Sequence, residues 1–251
     1  MLYIQKGEEP LAQQTARIKI QRSAEWKATA SYDTATIRDY FNQLPKQDIR
    51  DSLVAEQKGL CAYCMRRLDS SSSHMSIEHW VPLSKNKDLA LSYSNMLGVC
   101  DGGKASNSNR AKKVLCCDAS KADDATMTID PLNEEQMKEI AYLSDGTIYT
   151  ISNDAALQRD INDILKLNGE LDRKTGKRIV DTETCLVKNR KDAYERCKNW
   201  IRELDKKHKC TSAVIAKRIE EISNSYPMEE YAGVTLFLLK KKKRQLEKRG
   251  L

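Results

Sequence analysis

The spacing of apolar residues divides the chain into a helical start, a middle stretch without helical period, and a long helical end. Gln14–Ile20 and Thr36–Leu44 carry apolar residues at helix-compatible intervals. Pro45 separates the second of these from a helix predicted over Lys46–Lys58, and Gly59 stands where a helix C-terminus is expected. From 60 to 131 the helical period is lost, and Ser70–Ser73 and the Asn/Ser-rich 105–109 read as loops by composition. Glu139–Ser144 and Thr147–Ser152 flank Asp145-Gly146, a two-residue hairpin signal. From Asn153 onward the pattern is helical again. Apolar residues 157, 161, 164 and 165 share one face, and further helical stretches cover 183–204, 211–223 and 228–248. The expected fold class is α+β, mostly α-helical. Its parts are a helical N-terminal arm (1–58), a core (59–132), and a β-hairpin followed by a basic helical region (133–251). No internal repeat is visible.

Composition changes this picture little. With 40% hydrophobic and 31% charged residues the chain reads as globular. The longest apolar run, Val234–Leu239, is too short to span a bilayer and leads straight into lysines. No secretory leader pattern stands at the start, so a cytoplasmic location is expected.

Charge is more telling. The formal net charge is +7, yet residues 185–251 carry 18 Lys and Arg against 9 Asp and Glu, leaving −2 for the rest. A basic C-terminal quarter suits a polyanion such as nucleic acid, and equally suits solvated helix faces. The apolar stretch Tyr231–Leu239 is read as closing the domain's own core in preference to an interface.

Five of the eight cysteines (Cys61, Cys64, Cys100, Cys116, Cys117) crowd into the middle segment. Such clustering without a leader points to a metal, while Cys185, Cys197 and Cys210 read as small buried apolar residues. Cys61-Ala62-Tyr63-Cys64 can give two thiolates to one Zn²⁺, with Cys100 and either Cys116 or Cys117 completing a tetrahedron. A closed four-thiolate site serves folding. A thiol redox pair at Cys61 and Cys64 is the competing reading, and it lacks a βαβ context.

Between the cysteine groups lies Ser76-Ile77-Glu78-His79-Trp80-Val81-Pro82, followed by Asn95 and the run Asn95-Met96-Leu97-Gly98-Val99-Cys100. CxxC, a strand ending in Glu-His-x-x-Pro, then Asn and Cys together resemble the HNH (ββα-metal) endonuclease family. That resemblance implies a zinc-stapled ββα-metal core and metal-dependent phosphodiester cleavage. His79 would be the general base, since an imidazole of pKa about 6.5 accepts a proton from an attacking hydroxyl near neutrality. Asn95 would hold the base through a loop contact and fix its tautomer. Glu78 would ligate a hard catalytic cation, Mg²⁺ or Mn²⁺.

The family places the second ligand of that cation directly after its last zinc cysteine, in a helix. Here an insertion, Asp101–Lys113, leaves the register open between Cys116 and Cys117. Hard–soft matching favours Cys117 on zinc, because Asp118 then falls in the ligand position, whereas Cys116 on zinc would put a thiol there. Lys121 fits a phosphate-facing position or plain solvent exposure. His74, after the serine run, is read as an exposed loop residue in preference to an extra ligand.

Further segments resemble the PtuB family, the HNH subunit of Septu antiphage systems that is also found beside retrons. They are Tyr3-Ile4-Gln5-Lys6 with Glu9-Pro10, Cys117-Asp118-Ala119-Ser120-Lys121, Ile129-Asp130-Pro131-Leu132, and Ile161–Asn168 with Leu171 and Arg178. The match is strongest over about 56–181. It implies a PtuA-like ABC-type ATPase partner and, in retron versions, a reverse transcriptase with its RNA-linked DNA. DNA and tRNA both stay open as substrates, since phosphate-directed chemistry does not distinguish sugars. A non-catalytic zinc module that binds nucleic acid or protein is the competing class. It has no use for His79, Asn95, Glu78 and Asp118 together.

Overall fold

The computed structural model describes residues 1–71, 75–104, 115–121, 125–171, 174–175, 178–179 and 184–250. Four helices open the chain: α1 (Leu11–Arg22), α2 (Ala24–Ala28), α3 (Thr34–Asn42) and α4 (Lys46–Glu56). Three of the four starts have a local cause. The Ser23 hydroxyl accepts from the Trp26 N–H to cap α2, the Asp33 carboxylate accepts from the Thr36 N–H to cap α3, and Pro45 fixes the entry to α4. Lys58 and Gly59 both take positive φ, 54° and 74°, and turn the chain out of α4 into the Cys61–Cys64 loop.

The middle segment holds an antiparallel pair, β1 (Met75–His79) and β2 (Met96–Cys100), in the register Met75↔Cys100 and His79↔Met96. This pairing sets Cys100 at one end of the ladder and His79 at the other. A 3₁₀ turn, Tyr93–Asn95, leads into β2.

The helix expected after the last cysteine is one 3₁₀ turn, Cys117–Ser120, ending in extended Lys121. Two features break the helix. Cys117 enters at φ 56°, and the Ser120 hydroxyl, placed between the Cys117 and Ile164 carbonyls at 2.9 and 2.7 Å, competes for the helical pattern.

Beyond it come α5 (Glu134–Glu139) and the hairpin β3 (Ile140–Tyr142) and β4 (Ile148–Thr150), closed at Asp145-Gly146 with Gly146 at φ 91°. Then follow α6 (Ala155–Arg159), a π turn (Asp160–Ile164), the short pair β5 (Glu170–Leu171) and β6 (Arg178–Ile179), α7 (Leu186–Lys206), α8 (Ser212–Asn224) and α9 (Ala232–Glu247). The helical reading from Asn153 onward fails at the β5–β6 pair. Lys166 and Gly169, at φ 48° and 84°, turn the chain where helix would have continued.

One hydrophobic core runs from Met1 through Tyr63, Leu97 and Ile161 to Leu246. The apolar stretch of α9 supplies part of it, with Ala232, Gly233, Val234, Leu236 and Leu239 all buried. α9 packs on α7, α8 and β3, and its start presses on the cysteine loop, where a Cβ on Gly233 would lie 2.6 Å from the Met65 sulfur. Buried polar groups tie the later elements to the middle. Asp160 accepts from the Thr128 and Ile129 N–H groups, and Arg190 donates to the Gly146 and Leu167 carbonyls at 2.7 and 2.6 Å. Among the described residues no helix is long and apolar enough to cross a membrane.

Candidate active site beside a four-cysteine centre

Cys61 and Cys64 come from the turn after α4, Cys100 from the end of β2, and Cys117 from the start of the 3₁₀ turn. Their sulfurs all lie within 4.8 Å of one another, with Cys61–Cys117 at 3.9 Å, Cys64–Cys100 at 3.7 Å and Cys100–Cys117 at 3.8 Å. A zinc–sulfur bond of about 2.3 Å puts the sulfurs of a tetrahedron about 3.8 Å apart. The four cysteines can therefore hold a metal ion such as zinc.

Local backbone decides between the neighbouring cysteines. Cys116 is extended (φ −137°, ψ 175°), while Cys117 takes the left-handed conformation and swings its thiol into the group. The structure thus gathers Cys117 and leaves Cys116 buried beside it. The charges do not separate the two cysteines, since Cys116 hydrogen-bonds Cys100 as Cys117 does. Hydrogen bonds from Cys116, Cys117, Cys61 and Cys64 hold the Cys100 thiol far below its usual range. Those to Cys100 push Cys117 well above its usual range, and Cys64 rises through burial first and Cys100 second. One thiolate suppresses the others, so four thiolates require a cation among them.

Tyr63, inside the CxxC loop, is fully buried between this centre and a pair of carboxyls. Its hydroxyl lies 3.4 Å from Glu78 Oε1. Burial raises its pKa well above the usual value, and Glu78, Asp118, Cys61 and Cys117 add to the rise. Glu78 itself is pushed up to about 8, first by burial and then by the Asp118 carboxyl, against the opposing pull of Lys121. Asp118 thus reaches Glu78 from the turn just after Cys117. Lys121 bonds Glu78 Oε1 at 2.5 Å and the His79 carbonyl at 3.1 Å, and its side chain is only 4% exposed. The solvent-exposed reading of Lys121 does not hold. Two hard-oxygen carboxyls forced together under burial are short of positive charge, which a divalent cation fits.

His79 ends β1. Its Nε2 lies 2.9 Å from the Ala90 carbonyl, which can only accept, so Nε2 carries the proton and Nδ1 keeps its lone pair. Burial lowers the imidazole pKa to about 4, with Lys46, Arg38 and Lys121 adding to the fall against the Ala90 bond. The ring meets the edge of Phe41, from α3, at 4.4 Å.

Asn95 makes no hydrogen bond to this ring. Its side chain accepts from the Val81 N–H at 2.8 Å and donates to the Val81 and Leu89 carbonyls at 3.0 and 3.3 Å. It clamps the loop whose next residue, Ala90, orients the imidazole. His74 lies outside the described residues.

The structure therefore brings Glu78, Asp118 and Lys121 together beside Tyr63, with His79 and Asn95 at the end of the β1–β2 pair away from Cys100. The sequence reading missed Tyr63, the Ala90 carbonyl, and the contribution of α3 and α4. Tyr63 could have been suspected from its place inside CxxC. Nothing in the spacing ties Phe41 or Lys46 to His79.

No protein-family model matches the chain. Among curated proteins it is similar to the Septu protein PtuB of Bacillus thuringiensis, 24% identical over 199 residues, which span 77% of this chain and 69% of that protein. This is a distant relation to PtuB, and it spans the cysteine centre and the residues around His79 only at that level of identity.

Proposed function

We propose that this chain is a metal-dependent HNH endonuclease and the nuclease effector of a Septu-type antiphage complex. The observation that carries the reading is the state of His79. It is a neutral imidazole with Nε2–H fixed on a backbone carbonyl, beside a buried carboxyl pair and on a four-cysteine scaffold. In this reading His79 Nδ1 takes the proton of the attacking hydroxyl, and Asn95 holds the loop that aims the ring. Cys61, Cys64, Cys100 and Cys117 hold a structural zinc. Glu78 and Asp118 would hold a Mg²⁺ or Mn²⁺, which when bound neutralises charge building up on the phosphate and leaving oxygen. Lys121 keeps a further positive charge at the same carboxyl. Residues 1–58 serve as an arm, 59–132 as the nuclease core and 133–251 as the basic support.

The distant PtuB relation supports a PtuA-like ABC-type ATPase as partner. In a retron setting a reverse transcriptase and its RNA-linked DNA would join them. The substrate is DNA or tRNA. The test is to express the chain with such an ATPase, activate the pair, and sequence cellular DNA and RNA ends with and without His79→Ala. New ends that vanish in the variant are expected, and their position names the substrate. Ends that persist in His79→Ala would remove the assigned base.

A further inference from the structure

Three cations on the N-terminal helices, Arg38, Lys46 and Arg50, have no ion pair among the described residues, and the first two act on His79. Arg38 precedes Phe41 by one turn of α3, and Phe41 is the ring that meets His79 edge-on. Lys46, the first residue of α4, sets its ammonium over the Phe41 ring and donates to the Phe41 carbonyl. Arg50 follows one turn later on the same side of α4, and its Nε is buried without a hydrogen-bond partner.

Left alone, this arrangement is unfavourable. Neighbouring like charges repel, and a buried donor with no partner is unfavourable. Lys46 registers the crowding, pushed down to about 6 by burial and by Arg50 and Arg38. An anion among the three relieves every one of these costs.

We infer that Arg38, Lys46 and Arg50 form a clamp for a backbone phosphate of the nucleic acid, next to the phosphodiester presented to His79. This rests on the nuclease reading above and supplies it with a substrate-positioning surface outside the β1–β2 motif. Guanidinium groups suit phosphate because their donors form a planar fork, and an ammonium adds a point charge. The clamp reads no sequence, since phosphate contacts are the same whatever the base.

The test uses the zinc-loaded chain with His79→Ala to prevent cleavage. Fluorescence anisotropy follows its binding to a short labelled DNA duplex and a single-stranded RNA over a range of salt concentrations. Arg38→Gln, Lys46→Gln and Arg50→Gln should each lower the slope of log K against log salt, by about 0.9 for the duplex or about 0.7 for the single strand. Lys46→Arg should restore the slope.

Slopes equal to the parent in all three variants would overturn the clamp. So would a Lys46→Gln effect that tracks a fall in melting temperature and is not rescued by arginine, since that is the mark of a helix cap alone. A chain that never cleaves yet shows the lowered slopes would sink the nuclease reading and leave the clamp standing. Cleavage with unchanged slopes would do the reverse.

Discussion

Cys116 and Cys117 are adjacent and both buried, so substituting each in turn asks whether backbone conformation chooses the ligand. Serine replaces either side chain with little change of volume. At Cys117 it removes one corner of a tetrahedron whose measured edges are 3.7–3.9 Å. Structural zinc sites bind with an apparent free energy of about 10–16 kcal/mol, so one of four equivalent thiolates contributes about 2.5–4 kcal/mol. At about 1.4 kcal/mol per decade, Cys117→Ser should weaken zinc binding by about 10²- to 10³-fold. Cys116→Ser should stay within about threefold of the parent. Competition against a chromophoric chelator reads the affinity, and thermal unfolding with and without chelator reads the coupling to stability. Zinc lost from Cys116→Ser and kept by Cys117→Ser would refute the argument from the left-handed turn. A preparation with no zinc in the parent would refute the centre itself.

Other consequences can be checked separately. Asn95→Ala removes three side-chain hydrogen bonds from the loop before Ala90, at about 1 kcal/mol each net. A fall of about 2–3 kcal/mol in stability is expected, with kcat for cleavage reduced about 100-fold and KM little changed. Retained kcat would free Asn95 of its role. Gly102→Ala drives a Cβ to 2.2 Å from the Cys116 carbonyl and 2.5 Å from Ala119 Cβ, at a φ of 60°. It should cost about 2 kcal/mol or more and loosen zinc, because the turn it displaces carries Cys117 and Asp118. Unaltered zinc affinity would show that turn to be compliant. Arg190→Met leaves the Gly146 and Leu167 carbonyls without donors in a site with no solvent exposure. A loss of about 2–4 kcal/mol is expected in denaturant unfolding, and a neutral result would show that shedding the buried charge offsets the lost bonds.

The parts of the site that follow one another along the chain were legible from residue types. Cys61-x-x-Cys64, Glu78-His79 and Asn95 with Cys100 keep short spacings, and hard–soft matching chose Cys117, which joins the other three sulfurs across a long insertion. The hairpin at Asp145-Gly146 was legible because turn chemistry is local. Two expectations of helix failed where single residues override the period. Cys117 and Ser120 cut the expected helix to one 3₁₀ turn, and Lys166 with Gly169 broke the later run before β5. Contacts between distant segments were invisible, since no pattern says that Phe41 will meet His79, or that Lys121 will be buried on Glu78 instead of facing water.

The cysteine loop near the start of the core is held by residues far downstream of it. The Met228 and Tyr231 N–H groups donate to the Lys58 and Met65 carbonyls at 3.0 Å each. Arg67 donates back to the Met228 carbonyl at 2.7 Å, and its backbone N–H to Glu230 at 2.8 Å. During synthesis the loop therefore leaves the ribosome more than 150 residues before the segment that braces it. A nascent or prematurely ended chain has its chemistry-bearing side chains but not their brace. In the nuclease reading proposed above, the centre would stay unbraced until the segment carrying Met228, Glu230 and Tyr231 has been made.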